Sequence, residues 1–503
     1  MASDAGAPVG ADDPQALVSQ ALQLRDAGRA KDAIARVEAA LKKHPDHLRL
    51  WHVLGLLHRA EEDSAAAITA FARAVELAPN DPKVTHALAR VTLEAGRPDV
   101  DLFDAARACS PADGSVLLGR AAAQSALGQT ENAIADLDAI LLQSPEWIEG
   151  QEALAGFYWM IGQREKFTEG FERALLAAPH NSPLWFKMIN SLIQVERFAE
   201  ADTVVARARS SVKEVRNLDI CEAICASELG DHERADRLFE RVAPHVEMPL
   251  AVRYMRHMLR TGRPEEAARC GEAHRKDAEA NEMWPYLGLA WRMLDDKRWR
   301  WLERDERLIK TYDIGDRVDM EELAAHLRTL HVLKADMAGQ SVRGGTQTDG
   351  PLFARADKQI RALRAAIVDT VACHMQTLAP IDPDHPILRF APGNVQFGGS
   401  WSVRLAGAGR HTNHIHPMGW YSSALYVSLP SPGQLGDPPA GWLAFGQPPE
   451  ELALDLPAYH TVEPKVGHLA LFPSIMWHGT VPFDDGERLT VAFDVKKPSG
   501  SGS

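Results

Sequence analysis

The chain has 503 residues, 45% of them apolar and 25% charged, with a formal net charge of −14. That length exceeds what one hydrophobic core sustains, so more than one domain is expected. The acidic balance argues against a nucleic-acid or anionic-membrane partner, which most of this surface would repel.

The opening MASDAGAPVGADDP has neither the charged start nor the apolar core of a signal peptide. Residues 1–13 are expected to be disordered, as are the closing residues 497–503, KPSGSGS. No run approaches the roughly 20 apolar residues needed to cross a bilayer. The five cysteines (109, 221, 225, 270 and 373) form no CxxC pair and suit a reducing compartment, so a cytoplasmic location is expected. Cys221 and Cys225 lie one helical turn apart, a spacing that fits small residues on a packed helix face better than a ligand pair.

From residue 14 to about 290 the sequence repeats. Prolines at 45, 79, 111, 145 and 179 are spaced 34, 32, 34 and 34 residues apart, and Gly28, Gly96, Gly128, Gly162, Gly230 and Gly262 keep the same beat, with Glu62 and Glu196 in the two gaps. The residues between are helical in pattern. Small Gly55, Ala67 and Ala74 allow close helix approach, Trp51 and Phe71 fill the space between, and Pro79 stops the second helix because it donates no backbone bond. Residues 51–79, WHVLGLLHRAEEDSAAAITAFARAVELAP, closely resemble a tetratricopeptide repeat, departing only at His58, where the pattern prefers tyrosine. The unit carrying Tyr158, Gly162, Phe171, Ala174 and Pro179 matches nearly as well. About eight helix pairs are expected, offering a long concave surface for an extended peptide or protein partner.

The beat stops in a connecting helix and linker at 291–315, where Trp299 and Trp301 are expected to pack the last helix onto the next domain. Residues 316–496 are a different object. Two helical segments, 319–334 and 355–378, flank QSVRGGTQTDGPLF (340–353), read as a glycine-rich loop whose spacing is wrong for phosphate. After residue 385 short β-rich runs alternate with Gly/Pro turns: ILRF, NVQF, SWSVRL, SSALYVSL, GWLAF, GHLALFP and RLTVAFDV. That spacing predicts a sandwich or barrel.

Three features converge in these strands. His414-Ile415-His416 has the period-two spacing that puts two imidazoles on one strand face. His478 follows the buried run GHLALFPSIMW, 62 residues after His416. Arg488 starts the strand after an Asp485-Gly486 turn and shares parity with Thr490 and Ala492. His411 and Asn413 have the opposite parity to the histidine pair, so His411 is read as facing solvent or substrate and not as a ligand.

This order of parts resembles the 2-oxoglutarate- and Fe(II)-dependent oxygenases built on a double-stranded β-helix. The resemblance is closest to a subgroup whose ligand strand reads His-x-His-Pro, here His414 to Pro417, and continues into a strand with Ser and Tyr, here Ser422 to Tyr426. The segment Gly467…Phe472-Pro473-Ser474…Trp477-His478 also fits, and SVRGGTQT (341–348) with the upstream repeats resembles members that carry a tetratricopeptide array. The resemblance implies an α+β multidomain chain, a tetratricopeptide-like solenoid followed by a jelly-roll domain with flanking helices. It implies Fe(II) held by His414, His416 and His478, with His416 standing where the family has Asp or Glu; a two-histidine site of His414 and His478 with an extra water in place of His416 stays open. It implies 2-oxoglutarate clamped by Arg488, whose planar fork suits a carboxylate, and no catalytic residue beyond these ligands. The activity implied is hydroxylation, with the repeats recruiting a protein or peptide. Two other readings stay open: a three-histidine metalloenzyme of cupin type that needs no keto acid, and a repeat adaptor whose barrel has lost its chemistry. The oligomeric state is not readable from the sequence.

Overall fold

The punctuation of the repeats has a direct backbone meaning. In the computed structural model, which describes residues 13–277, 280–332 and 339–498, Gly28, Gly96, Gly128, Gly162, Gly230 and Gly262 all take positive φ, between 70° and 82°. Glu62 and Glu196, the two residues that break the glycine series, take φ of 57° and 62°. Each position ends the first helix of a pair in the left-handed conformation, and the next N–H closes back onto the last turn, as from Arg29 to the Leu24 carbonyl at 2.8 Å and from Asp63 to His58 at 2.9 Å. Aspartates cap several first helices of the pairs, among them Asp13, Asp81 and Asp113, which accept backbone N–H bonds from the first turn. Among the described residues, sixteen helices run as eight pairs from Pro14–Asp26 to Pro264–His274.

The chain divides into two compact units, residues 1–133 with 350–364 and residues 134–349 with 365–503. In the first unit, the helices Leu48–Ala60 and Ser64–Leu77 meet at a glycine. A Cβ on Gly55 would lie 2.5 Å from the ring of Phe71, which is fully buried with Ala67 and Ala74. Residues 350–364 lie on these repeats: the Ala354 carbonyl accepts from Ser64 Oγ, Ala356 N–H donates to Ala95 O (3.1 Å), and Arg364 Nε donates to Glu62 (2.9 Å).

The second unit holds the later repeats and the β domain. In its repeats, Trp159, Phe171, Trp185 and Leu192 form one core with Cys221 and Cys225. Burial pushes the two thiols up to about 11 and about 12, so they stay protonated and act as small apolar groups.

Among the described residues nine strands form the β domain: β1 Lys310–Asp313, β2 Val342–Gln347, β3 Phe397–His411, β4 Tyr421–Ser428, β5 Leu443–Phe445, β6 His460–Val462, β7 His468–Pro473, β8 His478–Thr480 and β9 Glu487–Val495. They make a six-stranded antiparallel sheet, β1-β7-β4-β9-β3-β2, and a three-stranded sheet, β6-β5-β8. This is the jelly-roll arrangement, with the helix Met320–Leu330 flanking. The chain passes from the large sheet to the small one between β7 and β8, and returns at the Asp485-Gly486 turn before β9.

Several expectations are corrected. QSVRGGTQT is not a loop: β2 pairs with β3, and its glycines serve a bulge at Gly344, where φ is 72°. ILRF lies in turns, and of NVQF only Phe397 enters a strand, because the prolines at 386 and 392 interrupt pairing. β1 pairs with β7, so the sheet begins within the expected 291–315 linker, before residue 316. Nor does compactness divide at 290–315, because the later repeats pack directly on the β domain. Trp477 Nε1 donates to the Pro285 carbonyl (3.2 Å), Arg260 Nε to Glu451 O (2.9 Å) and Trp301 Nε1 to Asp382 (2.8 Å). Except for Asp13, Lys497 and Pro498, the termini expected to be disordered lie outside the described residues, as do the last two positions of the expected helix 319–334. No helix among the described residues is long and apolar enough to cross a membrane.

Candidate metal centre

The histidine-rich segment lies between β3 and β4 and is not the regular strand expected from its spacing. Only His414 pairs, in a single antiparallel bridge with His478 of β8. The two residues exchange both backbone bonds, His414 N to His478 O at 2.9 Å and His478 N to His414 O at 3.0 Å. His416 N donates to the Ser474 carbonyl (2.8 Å), which ties the segment to the turn after β7. A Cβ on Gly479 would lie 2.2 Å from Asn413 Oδ1, so the absent side chain lets the segment lie against β8.

These backbone bonds bring three imidazoles together. His414, His416 and His478 each offer one nitrogen, and the three nitrogens lie within 4.8 Å of one another. His414 Nδ1–H donates to the Thr412 carbonyl (2.7 Å) and His478 Nδ1–H to that of Met476 (2.9 Å). Each bond selects the tautomer whose Nε2 carries a lone pair. Burial drives both imidazoles well below their ordinary pKa, and the neighbouring histidines push the same way, so both are neutral near pH 7. His416 is held differently: its Nδ1 meets Asp494 Oδ2 at 2.8 Å, and Trp401 stacks on its ring at 5.5 Å, 19° from parallel.

The three rings line a cavity of about 430 Å³ that also contains Arg488, Thr490, Ala492 and Asp494. These four alternate along β9, the inward parity expected for Arg488, while Leu489, Val491 and Phe493 are buried on the other face. Arg488 is 2% exposed. Its Nη1 donates to the Gly441 carbonyl (2.7 Å), its guanidinium sits 5.0 Å over the Tyr426 ring, and its Nε has no hydrogen-bond partner among the described residues. Burial presses its pKa downward, although Tyr426 opposes this. Among the described residues no carboxylate forms an ion pair with it. A buried guanidinium held this way is an incomplete arrangement that an entering anion would complete.

His411 also lines this cavity, with Ser341 Oγ at 3.1 Å from its Nδ1 and 3.3 Å from His414 Nε2. Burial pushes its pKa down to about 3, so it presents a neutral ring. Sequence reasoning missed Asp494, Trp401 and Ser341. The period-two count from Arg488 through Thr490 and Ala492 reaches Asp494 and was the available signal; Trp401 and Ser341 carry none.

A second cavity of about 410 Å³ shares Gly339, Gln340, Ser341, His414 and Ile415 with the first. Trp159, Phe198 and Tyr286 line it from the later repeats, and Asn413, Pro449 and Trp477 from the β domain. Both cavities lie wholly within the second unit.

Comparison with known families finds both parts in the one chain. Residues 399–494 match a family described as "Putative 2OG-Fe(II) oxygenase", and residues 18–82 match a family described as "Tetratricopeptide repeat". Similar solved structures include a tetratricopeptide repeat protein from Parabacteroides merdae, 17% identical over 45% of this chain and 91% of its own, with a TM-score of 0.31. A thermophilic tetratricopeptide protein of Thermus thermophilus is 21% identical over 36% of this chain and 98% of its own, with a TM-score of 0.27. No curated protein matches the chain.

Proposed function

We propose that the protein is an Fe(II)- and 2-oxoglutarate-dependent hydroxylase whose later repeats hold a protein or peptide segment across the mouth of the metal cavity. One observation carries the reading: three convergent imidazoles and a buried guanidinium without a carboxylate partner face the same cavity. The donor set fits the metal, since imidazole nitrogens on fixed backbone suit Fe(II) and three of them leave coordination positions free. It fits the keto acid as well, because Arg488 offers a fork for a distal carboxylate and Thr480 and Thr490 line the cavity beside it.

When bound, iron and 2-oxoglutarate supply oxygen activation coupled to oxidative decarboxylation, which releases succinate and carbon dioxide. The chain's own residues do the positioning. Thr412 and Met476 carbonyls fix the rings of His414 and His478, Phe472 packs 4.6 Å from the His478 ring, and Arg488 orients the anion by a charge that burial strengthens. Ser341 and Ile415 line both the metal cavity and the second cavity, and a substrate side chain would pass beside them.

The second cavity supports a peptide over a polyanion. Its aromatic walls suit apolar side chains, and its charged residues balance: Arg164, Arg256 and Arg343 against Glu196, Glu228 and Glu451. A keto-acid-independent cupin-type enzyme would share the three-histidine centre but has no use for the unpaired Arg488. The test is succinate release from 2-oxoglutarate after anaerobic Fe(II) loading, with wild type beside His478→Ala and His416→Ala. The reading expects succinate from the wild type and its loss in His478→Ala. Equal background from all three proteins would remove it.

A further inference from the structure

The ligand position that the resemblance assigns to Asp or Glu is occupied by His416, and a carboxylate, Asp494, stands 2.8 Å behind that ring. We propose that Asp494 is a positioning residue of the metal centre. Through His416 it orients the third imidazole and supplies, one ring removed, the negative charge that the direct ligand set lacks. The inference rests on the proposed metal site and goes beyond it by naming the residue that replaces the missing carboxylate.

Four observations support it. Asp494 is not itself a member of the convergent group, since Oδ2 is engaged by Nδ1 of His416 at 2.8 Å and so lies on the far side of the ring from Nε2. Its other oxygen accepts from Ser422 Oγ at 2.6 Å, directly across the β4–β9 pairing, and Ser422 Oγ lies 2.9 Å from Ser474 Oγ. Among the described residues no lysine or arginine forms an ion pair with Asp494; its only ionisable partner is His416. A conventional structural salt bridge therefore does not account for the carboxylate. Finally, the surroundings hold the pair still. Trp401 stacks on the ring of His416, and a Cβ on Gly419 would lie 2.4 Å from Ser474 Oγ and 3.3 Å from Asp494 Cβ, so the turn after His416 is pressed onto this network.

The charge bookkeeping gives the arrangement its meaning. Two imidazoles and a carboxylate around a divalent ion leave +1, whereas three neutral imidazoles leave +2. A carboxylate bonded to the third imidazole returns the immediate environment to +1 and makes that imidazole a better donor. The direct ligand is then uncharged, and the compensating charge sits on β9, the same strand that carries Arg488 toward the keto acid.

The experiment is anaerobic titration of the full chain with Co(II), read by its ligand-field absorption, for wild type, Asp494→Asn, Asp494→Ala and His478→Ala. Asp494→Asn keeps an oxygen that accepts from Nδ1 but removes the charge; Asp494→Ala removes both. Outer partners of this kind alter metal affinity about 10–100-fold. The expected result is a roughly tenfold weaker site in Asp494→Asn, a larger loss with an altered spectrum in Asp494→Ala, and thermal stability of the metal-free Asp494→Asn protein close to wild type. If Asp494→Ala fails to fold, Asp494→Asn carries the test alone. Wild-type affinity and spectrum in Asp494→Asn, with binding lost in His478→Ala, would overturn the inference and leave the metal site standing. A wild-type chain that does not bind Co(II) would remove both.

Discussion

Replacing Arg488 by methionine separates a ligand clamp from a structural donor, because the two roles predict opposite signs. The side chain is 2% exposed and makes one hydrogen bond, to the Gly441 carbonyl. Losing that bond costs about 1–3 kcal/mol. Removing a buried cation without a counter-charge returns a desolvation cost of several kcal/mol. Methionine keeps most of the volume, so the metal-loaded variant without keto acid should be as stable as wild type or more so. Binding of 2-oxoglutarate should suffer: truncating one partner of a buried charged pair costs about 3 kcal/mol, or roughly 150-fold in Kd. The assay is thermal denaturation of anaerobic Co(II)-loaded protein with and without 2-oxoglutarate. At a concentration about 100 times the wild-type Kd, the keto acid stabilises wild type by about 2.7 kcal/mol and the variant by only about 0.3 kcal/mol. A variant that melts well below wild type yet keeps the full 2-oxoglutarate shift would refute the reasoning and make Arg488 a structural donor.

Two further predictions concern the second unit. Glu303 is 4% exposed and one of its carboxylate oxygens has no hydrogen-bond partner among the described residues; burial raises its pKa from 4.5 to about 7, against the pull of Tyr459 and Arg292. The folded state therefore holds a proton that the unfolded state releases above pH 4.5, so stability from this group is complete below that pH and falls as pH rises through 7. Glu303→Gln should gain up to about 3 kcal/mol over wild type at pH 8 and almost nothing at pH 4.5; a difference that does not change between those pH values in urea melts contradicts the assignment. Glu196 holds a left-handed φ of 62° where the other repeats mostly use glycine, and its ion pair with Arg343 is a long 4.0 Å. Glu196→Gly should raise the urea midpoint at constant slope, a stability gain of about 1 kcal/mol, and a lower midpoint would show that the side chain matters more than the backbone.

The repeat architecture was legible because its signals are local. A left-handed residue at the end of a helix and a proline past its partner act within a few residues, so glycines and prolines at a period near 34 reported the helix pairs, and even the exceptions at Glu62 and Glu196 proved to hold the same backbone conformation. Strand parity was legible for the same reason: the alternation that turned Arg488 inward depends only on its own strand. What a strand pairs with does not. Residues 342–347 look like a glycine-rich loop until β3 lies beside them, and ILRF looks like a strand although nothing pairs with it.

By itself, then, the sequence determined the solenoid, the presence of a β domain after it, and which histidines and arginine were candidates. Tertiary structure alone decided that His414 bridges to His478, that Asp494 stands behind His416 from 78 residues away, and that Trp159 and Tyr286 of the repeats face the same cleft as Trp477. The physical reason is that backbone conformation is set over one or two turns of chain, whereas a cavity is a meeting of side chains whose distance in sequence carries no energy until the fold has closed.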